Sequence, residues 1–232
     1  LVGSEMCIRD RLNESEDIQM DTLEIMKKRH SVRQYMNRAV ELSRREEINS
    51  LIKDVNVESK LSIQAFYDEP KCFDSFMAHY GKFENVKNYI AIVGNKNDQE
   101  KAGYYGEKIV LKCQELGLNT CWVAMTHGKS KAEIKKGQKL LIIISLGYGE
   151  TQGVPHKSKS ASELGRADQS TEWFERGMEA VSLAPTAVNQ QKFFFELKNG
   201  NVTAKSLGGF YSRIDLGIVK YHFEAVTGHE VK

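Results

Sequence analysis

Three stretches of the chain are almost unbroken in apolar residues. They are Asn88–Gly94, Leu140–Leu146 with its three consecutive isoleucines, and Phe193–Leu197. Runs this short, bounded by glycine and polar turns, predict buried strands; the isoleucine run reads as covered on both faces. Leu118–Val123 reads as a further strand. Asn199-Gly200 is a two-residue hairpin signal, with Val202–Leu207 as the return strand. Other segments carry the helical period. Asp21 can cap a first helix, with Glu24 as its capping-box partner, Leu23, Ile25 and Met26 as its apolar contacts, and Lys27, Lys28 and Arg29 in its last turn. Ser43 can cap a second, Ser43–Ile52, whose stripe is Ile48, Leu51 and Ile52. Gly103–Gly117 places Ile109, Cys113 and Leu116 on one face. Ser130–Lys136 reads as a short charged helix. Trp173, Phe174, Gly177, Met178 and Val181 form another stripe, and Leu216, Val219, Phe223 and Val226 the last. Residues 56–88 hold no single period and predict short elements under a covering loop.

This punctuation divides the chain. Residues 1–19 carry no period and read as a foreign or disordered leader. A first unit spans 20–150. Residues 151–170, rich in serine, glycine and lysine, read as a linker, and 171–232 begin a second, shorter unit. Gly106–Gly117 and Gly217–Gly228 bracket helical steps of equal length, although only the glycines coincide.

Composition narrows the class. With 232 residues, 41% of them hydrophobic and 28% charged, the chain is an ordinary globular sequence. A net charge of +2 gives no electrostatic case for nucleic acid. No apolar run approaches the ~18–20 residues of a spanning helix, so no membrane partner is expected. Cys7, Cys72, Cys113 and Cys121 form no CxxC pair, which suits reduced thiols and a cytoplasmic location.

The candidate chemistry lies in two separated segments. In Arg29-His30-Ser31-Val32-Arg33, two arginines flank a hydroxyl and could fork onto a phosphate; a solvated basic face is the plainer reading of this motif alone. In Pro185-Thr186-Ala187-Val188-Asn189-Gln190-Gln191, a loop between helix and strand gathers hydrogen-bonding side chains. Gly147-Tyr148-Gly149 would let backbone approach a ligand closely. His30, His79, His127 and His156 show no metal-ligand spacing, and Cys121 reads as packed. Gly103-Tyr104-Tyr105-Gly106 is not a dinucleotide fingerprint. Trp122 reads as core, while Phe76 or Tyr80 could line a substrate opening.

Taken jointly, these motifs resemble the flavin-dependent nitroreductase family. Arg29–Arg33 resembles its phosphate-contacting segment. Ala184–Gln191 is similar to its Pro-Ser-x-x-Asn-x-Gln flavin loop. Gly117–Val123 is similar to its Gly-Leu-Gly-Thr-Cys-Trp strand, and Gly147-Tyr148-Gly149 to its glycine-tyrosine turn. The order departs from the family's usual one, because here the Pro-Thr loop follows the glycine-tyrosine turn. Each half carries one of the two complementary motifs.

The resemblance implies an α+β, nitroreductase-like fold, with a central mixed or antiparallel sheet flanked by helices. It also implies two tandem half-units forming an intramolecular pseudo-dimer with one flavin site. FMN would be held by Arg29, His30, Ser31 and Arg33 from the first unit, and by Pro185, Thr186, Ala187, Asn189 and Gln191 from the second. Gln191 could equally support its loop. Lys157 and Lys159 match the family's C-terminal basic residues, with solvated linker lysines as the alternative. Ala124 and Met125 replace two glycines near the reactive ring edge. No protein side chain is expected to be catalytic, because the cofactor carries the chemistry. The implied activity is hydride uptake from NADH or NADPH and reduction of a nitro compound, quinone or similar small electrophile, in a monomer or weak homodimer. A flavin carrier or redox sensor without turnover is the alternative.

Overall fold

The computed structural model describes residues 21–232. The expected leader, 1–19, lies outside the described residues. A four-stranded sheet is formed by β1 (Ser62–Phe66), β2 (Asn88–Gly94), β3 (Asn119–Val123) and β4 (Lys139–Gly147), in the order β1-β2-β4-β3 and antiparallel throughout. β4, the isoleucine strand, is interior to this sheet, and its buried pattern follows from cover on both faces. A second, three-stranded sheet holds β5 (Gly165–Ala167), β6 (Phe193–Lys198) and β7 (Asn201–Ser206). There β5 runs parallel to β6, and β6 and β7 close as an antiparallel hairpin. Asn199 and Gly200 both take positive φ, 49° and 73°, as a tight hairpin turn requires. The chain therefore has an α+β architecture whose main sheet is antiparallel.

The helices are α1 (Thr22–Lys28), α2 (Leu42–Ser59), α3 (Phe76–Tyr80), α4 (Gln99–Glu115), α5 (Ala161–Leu164), α6 (Glu172–Ser182) and α7 (Ser212–Thr227). Several boundaries differ from the sequence reading. Asp21 does cap α1, accepting from the Leu23 N–H at 3.4 Å, but Glu24 binds Lys27 instead of completing a capping box. α2 begins before Ser43 and continues to Ser59, because Val55 extends its buried stripe. α4 begins at Gln99, four residues before Gly103, and leaves room for Ala102 and Gly103 to pack. The short helix expected at 130–136 does not form. Its backbone is used elsewhere: Lys131 N–H donates to the Tyr89 hydroxyl at 3.0 Å, and Glu133 N–H to the Gln64 side chain at 2.9 Å. The expected linker contains α5 and β5, tied down by a capping box from Ser160 to Glu163 and by pairing with β6.

α4 and α7 form the spine. They cross so closely that a methyl group on Gly103 would lie 2.0 Å from the Ile214 carbonyl oxygen, and one on Gly217 would lie 1.9 Å from that of Glu100. The next contacts are reciprocal too: Gly103 faces the Ile218 nitrogen and Gly217 faces the Tyr104 nitrogen. Residues 100, 103 and 104 thus play the parts of 214, 217 and 218 at one constant offset. The local two-fold relation pairs Gly217 with Gly103, not with Gly106 as the helical-step comparison suggested. Gly106 instead admits the Trp122 ring.

α1 packs into this spine. Leu23, Ile25 and Met26 cluster with Leu111 of α4 and Ala180 of α6, and Tyr221 and Val226 of α7 pack against them. Ion pairs Arg176–Asp21 (2.9 Å) and Lys27–Glu179 (3.2 Å) join α1 to α6 across the surface. The end of α1 is thereby brought beside the end of α6. Among the described residues no helix is long and apolar enough to cross a membrane.

Candidate cofactor cleft

The Arg29–Arg33 segment leaves α1 extended and lies along the free edge of β3. Ser31 bridges Thr120 in parallel, and the Val32 N–H donates to the Thr120 carbonyl at 3.0 Å. Side chains alternate in an extended segment. Val32 is buried beneath with Tyr35, while Ser31 and Arg33 line an open cleft. Arg29, Ser31 and Arg33 are thus carried at alternate positions of an extended edge.

The opposite wall is the Pro185–Gln191 loop. Val188, Asn189 and Gln191 have φ of 48°, 52° and 45°. Such values are uncommon for non-glycine residues, and unusual for β-branched valine. Hydrogen bonds over-determine the loop. The Ala187 N–H donates to Asp215 Oδ1 at 2.9 Å, and Gln190 Nε2 donates to Asp215 Oδ2 at 2.7 Å. On the far side, Asn189 Nδ2 and Gln191 Nε2 both donate to the Lys157 carbonyl, at 2.9 and 2.8 Å. Gln191 is buried, and its Oε1 also accepts from the Lys159 N–H at 2.8 Å.

Between these walls the cleft has two ends that share Ser31, Arg33, Pro185, Thr186 and Val188. The first end, a cavity of about 280 Å³, is mostly apolar; Trp122, Ala124, Met125 and Ile142 contribute from the sheet side, with Tyr211, Ile214 and Ile218 from α7 and its entry. The second end, about 330 Å³, is basic and lined by Arg29, His30, Arg33, Pro155 and His156, with Asn189. Val188, Met125 and Phe210 are substantially exposed at the rim.

Arg29 is 3% exposed, and its Nε and Nη1 have no hydrogen-bond partner among the described residues. Its counter-charge is the fully buried Glu107, whose Oε1 lies 3.7 Å from Arg29 Nε. Glu107 is otherwise occupied: Trp122 Nε1 donates to it at 2.9 Å, and His222 Nε2 lies 2.9 Å away. Burial pulls the Arg29 guanidinium below its ordinary range, against the attraction of Glu107. Burial also pushes the Glu107 carboxyl up, but His222, Arg29 and Trp122 outweigh it, and the group ends low. His30 and His156 are lowered, first by burial and then by the Arg29 charge. A buried guanidinium in the lining of a basic recess, with two nitrogens unbonded among the described residues, suits an anion that accepts hydrogen bonds.

The cleft thus brings together Arg29, His30, Ser31, Arg33, Ala124, Met125, Pro185, Thr186, Ala187 and Asn189. Three expected residues stand outside its lining. Gln191 is spent on Lys157, Lys159 and Asn189, so it supports the loop. Lys157 contributes its backbone carbonyl, and the Lys159 ammonium donates to the Gln191 carbonyl at 3.1 Å. Gly147 and Gly149 are needed for internal packing: added methyls would meet the Tyr35 ring and the Thr151 carbonyl, respectively. Phe76 and Tyr80 are exposed on α3, away from the lining. Cys121 is buried against the cleft, with its thiol raised by burial.

Glu107, His222 and Asp215 were not singled out from sequence. Glu107 and His222 occur in otherwise apolar helix faces, and Asp215 follows an αL residue, Tyr211, at the start of α7. Only their burial in the folded state distinguishes them from surface charges.

This sheet-and-spine arrangement is that of the nitroreductase-like α+β class, whose members are oxidoreductases. Residues 21–227 match the family model described as "Putative TM nitroreductase", and the chain belongs to that family. The crystal structure of a putative nitroreductase from Thermotoga maritima superposes with a TM-score of 0.65 at 23% identity, covering 89% of this chain and 83% of that one. A putative nitroreductase in complex with FMN from Desulfovibrio desulfuricans has a TM-score of 0.49 at 16% identity, covering 63% of this chain and 96% of that one. A putative NADH oxidase from Clostridium acetobutylicum has a TM-score of 0.47 at 18% identity, over 60% and 96% of the two chains. No protein of curated function matches.

Proposed function

We propose that the chain is an FMN-dependent oxidoreductase that takes hydride from NADH or NADPH and reduces a nitro compound, a quinone or a similar small electrophile. The observation that carries this reading is the buried Arg29, whose Nε and Nη1 lack a hydrogen-bond partner among the described residues, at the basic end of a cleft whose other end is apolar. Arg29, Arg33 and Ser31 would hold a phosphate. Thr186 would face the polyol portion, with Asn189 beside it in the wall and bonded to Lys157 and Gln191, and the apolar end would take the flat ring system. When bound, FMN supplies hydride acceptance and onward electron transfer. The protein's part is to orient, to exclude water and to present Ala124 and Met125 along one ring edge. The open rim at Met125, Val188 and Phe210 gives an electrophile access, which favours turnover over a closed carrier or sensor.

The reading extends to architecture. The reciprocal contacts of α4 and α7 support a fused, internal equivalent of a two-subunit interface, with one cofactor site per chain. The first unit would supply the arginine segment and the second the Pro-Thr loop. On this reading the chain works in the cytoplasm as a monomer or weak homodimer.

The test is retained flavin. Purified protein should show absorbance near ~370 and ~450 nm that NADH bleaches and a quinone restores. Arg33→Ala, at an exposed position, should lose bound FMN without loss of fold. FMN content equal to wild type in that variant, and in Arg29→Ala/Arg33→Ala, would remove the phosphate assignment.

A further inference from the structure

We propose that Asp215 is a specificity-determining residue that makes the apolar end of the cleft discriminate against anionic ligands. The inference rests on the proposed function, in which an electrophile shares the apolar end with the ring system, and names the charge class of electrophile it takes: neutral or cationic.

Among the described residues, Asp215 is the one carboxylate lining the cleft, and it is 4% exposed. It makes no ion pair with any described residue. Its oxygens accept only from neutral donors, the Ala187 N–H and the Gln190 amide. Ile214, Ile218, Ile142 and Trp122 line the same end of the cleft and screen poorly. Arg33 is the opposing charge, and it stands where the two ends of the cleft join. The cleft is therefore polarised: cationic towards the phosphate end and anionic at the α7 end. A negative substituent entering by the α7 side meets an uncompensated carboxylate across a low-dielectric gap. At ~7–10 Å and an effective dielectric of ~20, such a repulsion corresponds to roughly tenfold or more in affinity. Discrimination by a repulsive element is a common route to specificity.

Binding tests this without requiring turnover. Trp122 lines the cavity and is one of two tryptophans. In a Trp173→Phe background, quenching of Trp122 by 4-nitrobenzoate and by the near-isosteric, neutral 4-nitrobenzamide gives two dissociation constants at pH 8. Asp215→Asn should improve the anion relative to the amide by about tenfold. Asp215→Glu should keep the wild-type preference. An anion-to-amide ratio unchanged in Asp215→Asn would overturn the proposal. If the protein also holds FMN, the ratio of kcat/KM for the two nitro compounds should move with the binding ratio. Protein without FMN that still shows the binding shift would separate failure of the cofactor reading from failure of this one.

Discussion

Gly103 of α4 and Gly217 of α7 are each pressed against the backbone of the other's helix, at 2.0 and 1.9 Å from a carbonyl oxygen for a notional methyl carbon. Contacts that close leave no room for any side chain, so the crossing depends on both glycines. The cleft depends on the crossing in turn. Ile214, Asp215 and Ile218 reach the apolar end from α7, while Glu107 reaches Arg29 from α4. Gly217→Ala should force the helices apart and cost about 1–3 kcal/mol or more. Gly103→Ala should act similarly, and the double variant should cost less than the sum, because both relieve one contact. Urea unfolding of the three variants checks both statements.

The Glu107 carboxylate is shared by Arg29, Trp122 and His222, all drawn from different elements. Glu107→Ala would leave a buried guanidinium without its counter-charge and strand two further polar groups. The expected loss is about 3–5 kcal/mol. Glu107→Gln keeps an acceptor for Trp122 and should lose less. Equilibrium denaturation, with near-UV circular dichroism reporting Trp122, distinguishes the two.

Asp215 and Glu107 predict opposite pH behaviour. Burial raises the Asp215 carboxyl to about 6, against the Gln190 and Ala187 bonds. Its folded value exceeds its unfolded one, so its favourable contribution is full below ~4 and is lost as pH rises through about 6. Glu107 is held low, so its contribution is present above the ordinary carboxylate range and is lost on acidification. Asp215→Asn should therefore gain stability relative to wild type as pH rises from 4 to 8, by up to about 2–3 kcal/mol. Urea midpoints of both proteins across that range give the difference directly. A constant gap would contradict the buried, uncompensated carboxylate.

Val188 has φ of 48° and is 84% exposed. Its side chain therefore has little packing to lose, while its backbone is held in a region that valine disfavours. Val188→Gly should raise the unfolding temperature, with a gain of about 1 kcal/mol before the added unfolded-state entropy is subtracted. Val188→Asn should gain more reliably, because asparagine tolerates αL with less chain freedom. Calorimetry reads both.

Lys157 and Lys159 are expected to be replaceable. Lys157 acts through its carbonyl, which any residue retains, and the Lys159 ammonium reaches the Gln191 carbonyl from an exposed position. On the proposed function, the double alanine variant should retain FMN, measured by absorbance after desalting, whereas Arg33→Ala should not.

Local rules made much of this protein legible in its sequence. Strand and helix identities follow from apolar period and turn chemistry, as at β4 and at Asn199-Gly200. The two halves of the cleft were recognisable because each is a contiguous segment with a fixed backbone demand. Local rules failed where a distant group took over a backbone donor: residues 130–136 are bound to Tyr89 and Gln64, so they cannot close a helix. They left Lys157, Lys159 and Gln191 open between ligand and loop, because their bonding partners lie in one another's segments.

The sequence by itself determined the long apolar strands and the helical stripes, which family they belong to, and which segments carry the arginines and the Pro-Thr loop. Tertiary structure alone decided that Arg29 is buried against Glu107 with donors to spare, that Gly217 pairs with Gly103, and that Asp215 lies uncompensated beneath the loop. The physical reason is that burial and charge compensation depend on groups far apart in the chain. An aspartate is ordinary on a solvated helix and unusual only where the fold removes its water and supplies no cation.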